Sequence, residues 1–126
     1  MWPFNKKIID PIALMIEQLN QINQLPEDKI LKWRNGVPIY NKIVSKTFEP
    51  LNQFWIDPDY LKNIDGITQK DMPSLELKEI KTVLTKIWRS EHFGYGTIGS
   101  SIVDGSTLLI EKRLEELVNK SQEATP

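Results

Sequence analysis

Apolar residues recur at steps of three and four along most of this sequence, in segments that Pro or Gly residues separate. Steps of that size place side chains on one face of a helix, whereas a half-buried strand requires strict alternation. The clearest stripe runs from Leu77 to Trp88, and another runs from Leu109 to Val118. The pattern predicts an all-α, compact domain of five to seven helices, several of them short, packed with one layer on another.

Capping residues and helix breakers predict where these helices begin and end. Asp10-Pro11 should start the first helix. An Asp side chain accepts from the free amides of the first turn, and Pro lacks the N–H that the first helical position would leave without an acceptor. Ser74 should cap the long helix, and the glycines of Phe93-Gly94-Tyr95-Gly96 should interrupt the chain. We then expect a short helix at Thr97–Val103 and a turn at Asp104-Gly105 before the last helix.

The segment that follows the first helix has a less regular pattern. Pro26 with the two acids after it predicts a short helix, which Asn35-Gly36 should end in a left-handed conformation. From Ile39 to Trp55 the apolar spacing favours another helix. Because β-branched residues are dense in its first part, residues 37–47 are open to a strand as well as to a helix. Asp57-Pro58 predicts one further short helix.

The domain organisation follows from the length of the chain. Its 126 residues are close to the commonest domain size, so we predict one helical domain over residues 1–126, with an N-terminal arm at 1–9 and a frayed tail at 120–126. A chain of this size buries about two-thirds of its unfolded surface without a metal or disulfide. Neither a signal-peptide core nor a membrane span is present in the sequence, which predicts a cytoplasmic protein.

The counts of Cys and His residues exclude several kinds of chemistry. With no cysteine, the chain has no disulfide, thiolate nucleophile or cysteine zinc site. One histidine cannot form a multi-histidine metal centre, so we predict neither a metal nor a cofactor. A formal net charge of −1 argues against a large basic surface for duplex nucleic acid.

Residues 89–96 hold most of the polar groups that could perform chemistry. Arg89 could bind an anion with its planar guanidinium, and His92 could transfer a proton near neutral pH. However, a helix end also needs such residues for its own stability, because a base offsets the helix dipole and an acid–base pair pins the turn. The structural role is therefore favoured over catalysis. The candidate polar cluster consists of Arg89, Glu91, His92, Tyr95, Asp104 and Arg113.

Known ligand-binding motifs do not fit this segment. Gly94-Tyr95-Gly96 lacks the third glycine of a dinucleotide fingerprint, and no Gly-Lys-Ser/Thr of a P-loop follows. Residues 75–103 loosely resemble a helix-turn-helix. The helix that would read DNA, Thr97–Val103, contains no Arg or Lys to contact phosphates or bases, which argues against a nucleic-acid partner.

Aromatic residues suggest both the core and a surface for partners. Trp2 and Phe4, near the start of the chain, must either dock on the core or lie exposed beside Lys6 and Lys7. If exposed, they would mark a contact with a partner, and they form the candidate partner surface. The other large aromatics are expected first in the core and only second in a pocket. These are Trp33, Tyr40, Phe48, Phe54, Trp55 and Trp88.

The sequence between Ser74 and Leu117 contains an ordered series of motifs. They are Leu84-Thr85, Arg89-Ser90-Glu91-His92-Phe93, Gly96, Asp104-Gly105 and the stretch from Leu109 to Arg113-Leu114. This series resembles a family of small bacterial proteins of unassigned function (a domain of unknown function), with an Arg-x-Glu-Arg-Phe turn, an acidic-Gly turn and a Leu-x-x-x-Arg-Leu helix. The sequence departs from the family at His92 and Tyr95, where the family has Arg and an acid. The resemblance implies a small, mostly helical bacterial cytoplasmic protein.

Because no complete catalytic set is present, we predict a non-enzymatic protein-interaction or regulatory module. Its partner would be another protein or a second copy of the chain. One alternative is a small-ligand or enzymatic pocket, which requires the candidate side chains to converge on one cleft; they are Arg89, Glu91, His92, Tyr95 and Asp104. The other alternative is a helical protein that binds nucleic acid.

Overall fold

The structure is a computed structural model that describes residues 10–65, 67 and 69–123, without the side chains of residues 69, 70 and 121–123. The described part contains six α-helices and one β-hairpin, so the predicted helical fold class is confirmed. The helices are α1 (Pro11–Asn23), α2 (Lys42–Phe48), α3 (Tyr60–Asn63), α4 (Leu77–Phe93), α5 (Thr97–Val103) and α6 (Ser106–Glu123). The strands are β1 (Leu31–Arg34) and β2 (Val37–Tyr40).

The hydrophobic core lies where the predicted apolar stripes meet. Helix α1 packs on α2 and α6, while α4 packs on α3, α5 and α6. Ile80 and Leu84 of α4 and Ile110 and Leu114 of α6 are all 0% exposed. The stripes read from the sequence are therefore the buried faces of their helices. In the part of the chain that the structure describes, every helix is too short or too polar to cross a bilayer.

The segment before α2 corrects the sequence prediction. The only helical part there is one 3-10 turn, Glu27–Lys29, and β1 and β2 form an antiparallel hairpin in which Arg34 lies opposite Val37. Asn35 and Gly36 have φ values of 53° and 77°, the conformation of a type I′ turn. The prediction of a short helix ended by Asn35-Gly36 was wrong, because the same dipeptide also closes a two-residue hairpin.

The start of α2 resolves the choice between helix and strand. Residues 37–40 form β2, and the helix begins at Lys42 after Asn41, whose side-chain oxygen accepts from the Ile43 amide at 3.1 Å. Each of the two alternatives for residues 37–47 is therefore correct for one part of the segment. Asn41 is the residue at which the change occurs, since an Asn side chain can satisfy a free amide at the start of a helix.

Two other predicted helix starts have different outcomes. Asp10 accepts from the Ile12 amide at 2.9 Å and caps α1, as predicted. Helix α4 begins later than predicted, because Glu76 and Glu79 form a capping box and replace Ser74 as its cap. The Ser74 hydroxyl instead donates to the Asp71 carbonyl at 3.0 Å, in the 3-10 segment before the helix.

The predicted ends of the chain lie largely outside the described residues. The arm at 1–9 is not described, so Trp2 and Phe4 of the candidate partner surface lie outside the described residues. Helix α6 continues to Glu123, which is beyond the predicted start of the tail at residue 120. Residues 124–126 are also outside the described part.

A polar network joins α1 to α6 inside the protein. Asn23 donates to Glu111 Oε1 at 2.8 Å and accepts from the Thr107 hydroxyl at 2.6 Å. Asn20 donates to the other Glu111 oxygen at 3.0 Å. Glu111 and Thr107 are 5% and 0% exposed, so their polar groups depend on these bonds rather than on water.

Replacement of Asn23 tests this network. We expect Asn23→Ala to lower the free energy of unfolding by about 1.5 kcal/mol, because it leaves buried polar groups of Thr107 and Glu111 short of a partner. Urea denaturation measures this change. The matched substitution Gln21→Ala, at an exposed position of α1, should cost less than about 0.5 kcal/mol. Equal losses for the two variants would contradict the proposed role of the network.

Asp57 lies in the loop that precedes α3, and its hydrogen bonds attach this loop to α4. Its carboxylate accepts from the Thr82 hydroxyl at 2.6 Å and from the Asn63 amide at 3.0 Å, and its own amide donates to the Thr85 hydroxyl at 2.8 Å. The short helix predicted from Asp57-Pro58 is present, and it begins at Tyr60. The hydrogen bond from Thr82 is the main cause that lowers the pKa of Asp57, followed by the bond from Asn63.

This pKa predicts how stability depends on pH. The folded-state pKa of Asp57 lies below the unfolded value of about 3.9. The ionised carboxylate therefore stabilises the fold at pH values above the unfolded pKa, and this stabilisation is lost as the pH falls through the folded pKa. We expect the stability difference between the wild type and Asp57→Asn to be largest at neutral pH and to shrink in acid. Urea titrations at successive pH values measure it, with Asp59→Asn as the exposed control. A difference that grows in acid would contradict this assignment.

Candidate functional site

Glu91 lies in the last turn of α4, and its carboxylate caps the next helix. Oε2 accepts from the Gly96 amide at 3.0 Å, and Oε1 accepts from the Ile98 amide at 2.8 Å. These amides lie at the start of α5, where they have no acceptor within the helix. A negative charge at that position also suits the positive end of the helix dipole. This carboxylate of the candidate polar cluster therefore has structural partners at both oxygens.

Tyr40, at the end of β2, completes this cap. Its hydroxyl donates to Glu91 Oε1 at 2.8 Å and accepts from the Gly99 amide at 3.2 Å. Burial is the main cause that raises the pKa of Tyr40 well above its ordinary value, and the Glu91 carboxylate also raises it. The hydroxyl therefore stays protonated and keeps donating at neutral pH. We call this set of residues the Glu91 clamp: Tyr40, Glu91, Gly96, Ile98 and Gly99.

Two glycines allow the hairpin to pack directly on α5. Gly96 has a φ of 102°, which L side chains rarely adopt, and a Cβ there would lie 3.4 Å from the Trp33 ring. A Cβ on Gly99 would lie only 2.6 Å from Cδ2 of Leu31. The absence of side chains at these positions lets β1 approach the helix closely.

Arg89 and His92 lie on the exposed surface of α4. His92 Nδ1 lies 2.8 Å from the Trp88 carbonyl oxygen, and the two rings meet edge to face with centroids 5.1 Å apart. The Arg89 guanidinium lies 5.9 Å from the centroid of the Phe93 ring. These contacts hold both residues at the C-terminal end of their own helix, which agrees with the structural interpretation.

Asp104 and Arg113 contact other parts of the fold. Asp104 Oδ1 accepts from the Ser106 amide at 2.8 Å, at the start of α6. Arg113 is 6% exposed, and its Nε donates to the Leu75 carbonyl at 2.8 Å, which joins α6 to the segment before α4. Its Nη1 also lies 4.0 Å from the carboxylate of Glu116. Both residues therefore fix helix positions.

The six residues of the candidate polar cluster do not meet in one cleft. Tyr95 and Asp104 line a groove beside β1, while Glu91 and Tyr95 line another groove beside β2. The other three line neither groove; they are Arg89, His92 and Arg113. Within the described ranges, no group of three or more His, Asp or Glu side chains is placed to hold a metal ion. The arrangement supplies contacts between elements and does not form the single cleft that a catalytic site requires.

The groove beside β1 is a wide concave surface next to this motif. It has a volume of about 800 Å³ and lies between β1 and α5. Trp33, Tyr95 and Val103 line it with 58%, 62% and 55% of their surfaces exposed. We call it the β1 groove, and its lining residues are Glu27, Ile30, Leu31, Trp33, Tyr95, Gly96, Thr97, Gly99, Ser100, Val103 and Asp104.

The sequence placed Trp33 first in the core and only second in a pocket, and the structure places it in this groove. Trp33 was expected in the core, but it lies on the hairpin and is more than half exposed. Phe48 and Trp55, which were expected in the core as well, are 0% and 1% exposed. The signal that could have identified Trp33 is Asn35-Gly36, since a hairpin turn at that position makes Trp33 part of a short strand with two faces.

Comparisons of the chain with protein-family models, with curated proteins and with solved structures give no match. The resemblance of residues 74–117 to a family of small bacterial proteins stays a prediction. Several residues that carry it have structural contacts: Glu91 caps α5, Asp104 accepts at the start of α6, and Arg113 binds the Leu75 carbonyl.

Proposed function

We propose that this protein is a non-enzymatic interaction or regulatory module that binds a protein partner at the β1 groove. The observation that supports it is the joint exposure of Trp33, Tyr95 and Val103 along one concave surface. Single exposed apolar residues are common, but a contiguous set with aromatic members is typical of a protein-binding surface. As part of the same proposal, the protein acts in the bacterial cytoplasm.

The Glu91 clamp supports this function because it positions both walls of the groove. Tyr40 joins the hairpin to Glu91, and Glu91 joins the end of α4 to the start of α5. The groove is thereby formed before the partner arrives, which reduces the conformational entropy lost on binding. In this role Glu91 acts through the positions of Trp33 and Tyr95 and makes no contact of its own with the partner.

The charges of the groove favour a protein partner over nucleic acid. The charged residues that line it are Glu27 and Asp104, both acidic. Carboxylates repel the phosphates that supply most of the affinity for nucleic acid. The α5 segment that a helix-turn-helix would insert into DNA forms a wall of the groove and contains no basic residue.

Site-specific photocrosslinking tests the proposal. Benzoylphenylalanine is introduced in place of Trp33, of Tyr95 or, as a control, of Leu61, which is 71% exposed on α3. We expect the first two positions to crosslink the same protein in cells and the Leu61 position not to do so. Equal crosslinking from all three positions, or nucleic acid in place of protein, would contradict the proposal.

A further inference from the structure

The outer edge of β1 presents backbone groups that the hairpin does not use. In a hairpin closed by a two-residue turn, the residues that flank the turn exchange both hydrogen bonds, and the next pair exchanges none. Arg34 and Val37 flank the turn. The backbone groups of Arg34 and Lys32 therefore bond to β2, while those of Leu31 and Trp33 point away from it. Leu31 and Trp33, the residues that carry these outward groups, both line the β1 groove.

The same alternation continues past the strands. The Asn41 amide donates to the Ile30 carbonyl at 2.8 Å, which is the next hydrogen-bonded position in this register. In the part of the chain that the structure describes, no side chain or loop is seen bonding to the amides of Leu31 and Trp33. The outer edge of β2 is less suitable for pairing, because Pro38 lies opposite Trp33 and has no amide to donate.

We propose that the partner binds as an extended segment that adds a third strand to the outer edge of β1. This inference rests on the proposed function and specifies how the partner binds. The segment would exchange backbone hydrogen bonds with Leu31 and Trp33. Its alternate side chains would enter the β1 groove and contact Trp33 and Val103, and specificity in this mode comes from such pockets.

The charges beside the edge define the chemistry of the partner. Lys32 and Arg34 project from the opposite face of β1 and are exposed. Side chains of an added strand that point to this face lie beside them, so acidic residues fit these positions. Those that enter the groove meet the side chains of Leu31, Trp33 and Val103, so apolar residues fit there. Acidic residues do not fit, because the carboxylates of Glu27 and Asp104 would repel them. The partner segment therefore alternates apolar and acidic residues.

The same charges argue against a second copy of this chain as the occupant. An antiparallel pair of β1 strands would bring Lys32 and Arg34 of one copy against the same residues of the other. Like charges across neighbouring strands are destabilising. Charged side chains are a known means by which exposed strands avoid pairing with their own copies.

A random octapeptide display library, selected on the full chain, tests the predicted chemistry. We expect the enriched peptides to alternate apolar and acidic residues. The double substitution Lys32→Glu/Arg34→Glu should reverse the preference to basic residues and keep the alternation. The matched variant Lys78→Glu/Lys112→Glu, with the same change in net charge at exposed positions of α4 and α6, should keep the acidic preference. An unchanged preference after reversal at β1 would overturn the inference.

Amide hydrogen exchange with an enriched peptide tests the geometry. We expect the amides of Leu31 and Trp33 to exchange more slowly when the peptide is bound, and those of Lys32 and Arg34, already bonded to β2, to change little. A peptide that perturbs Trp33 and Tyr95 without protecting these amides would overturn strand addition while the proposed function stands. Protection that rises with protein concentration and without peptide would identify a second copy as the occupant and overturn the inference.

Discussion

Glu91→Ala should lower the free energy of unfolding by about 3 kcal/mol, because the carboxylate accepts from three donors, two at the start of α5 and one at the end of β2. Its loss leaves the Gly96 and Ile98 amides at the start of α5, and the Tyr40 hydroxyl, without their acceptor. Hydrogen bonds to a charged group contribute more than neutral ones. Water replaces part of the loss, since Glu91 is only partly buried.

Urea denaturation of three further variants separates this role from a general effect of charge. Glu115→Ala, at an exposed position of α6, should cost less than about 0.5 kcal/mol. Tyr40→Phe should cost about 1 kcal/mol, since the Gly99 amide loses its acceptor. Combined with Glu91→Ala, Tyr40→Phe should add less than its own cost, because the two groups share a hydrogen bond. A loss under about 1 kcal/mol for Glu91→Ala would contradict the capping role.

Gly99→Ala should destabilise the protein by about 2 kcal/mol, although alanine is the better helix former. A Cβ at this position would lie 2.6 Å from Cδ2 of Leu31, so β1 must move away from α5 or Leu31 must change its rotamer. Gly99 is buried and has no positive φ, and therefore the effect comes from the contact and not from backbone strain. Thermal and urea denaturation measure the change.

A second substitution reverses the expected sign of this effect. In a Leu31→Ala background the contact is removed, and Gly99→Ala should then stabilise α5 by up to about 1 kcal/mol. The neighbouring substitution Ser100→Ala, at an exposed position of α5, should have little effect in either background. If Gly99→Ala destabilises both backgrounds equally, the close approach of β1 to α5 is not its cause.

The helical part of the fold could be predicted because its signals are local. Ile80, Leu84, Ile110 and Leu114 recur at helical spacing, and all four are buried. Asp10 also has the position of a cap in the sequence, and its side chain bonds the Ile12 amide. In these elements the apolar stripe and the capping residue predict the same helix, and tertiary packing does not override that local preference.

The hairpin could not be predicted as reliably as the helices, because Asn35-Gly36 fits two different structures. Both the end of a helix and a type I′ turn need residues that adopt positive φ. With four residues in each strand, the alternation is too short to separate from a helical pattern. The exposure of Trp33 follows only once the hairpin is known.

The residues of the candidate polar cluster could be named from the sequence, but their contacts could not. Glu91, Tyr95 and Asp104 were singled out from the sequence, and the structure places them at the groove walls or helix starts. The partner that explains Glu91 is Tyr40, which lies 51 residues away in the sequence. A side-chain contact over that separation depends on the packing of the hairpin against α5, which no local pattern specifies.

The central claim is that a protein partner binds at the β1 groove and not at the exposed side chains of Arg89 and His92. A benzoylphenylalanine reporter in place of Val103, inside the groove, measures this directly in cells. We expect Trp33→Ala to reduce the crosslinked partner by about tenfold, as for an aromatic residue central to an interface. Arg89→Ala/His92→Ala should leave the yield unchanged. Loss of the crosslink in Arg89→Ala/His92→Ala, with no loss in Trp33→Ala, would contradict the claim.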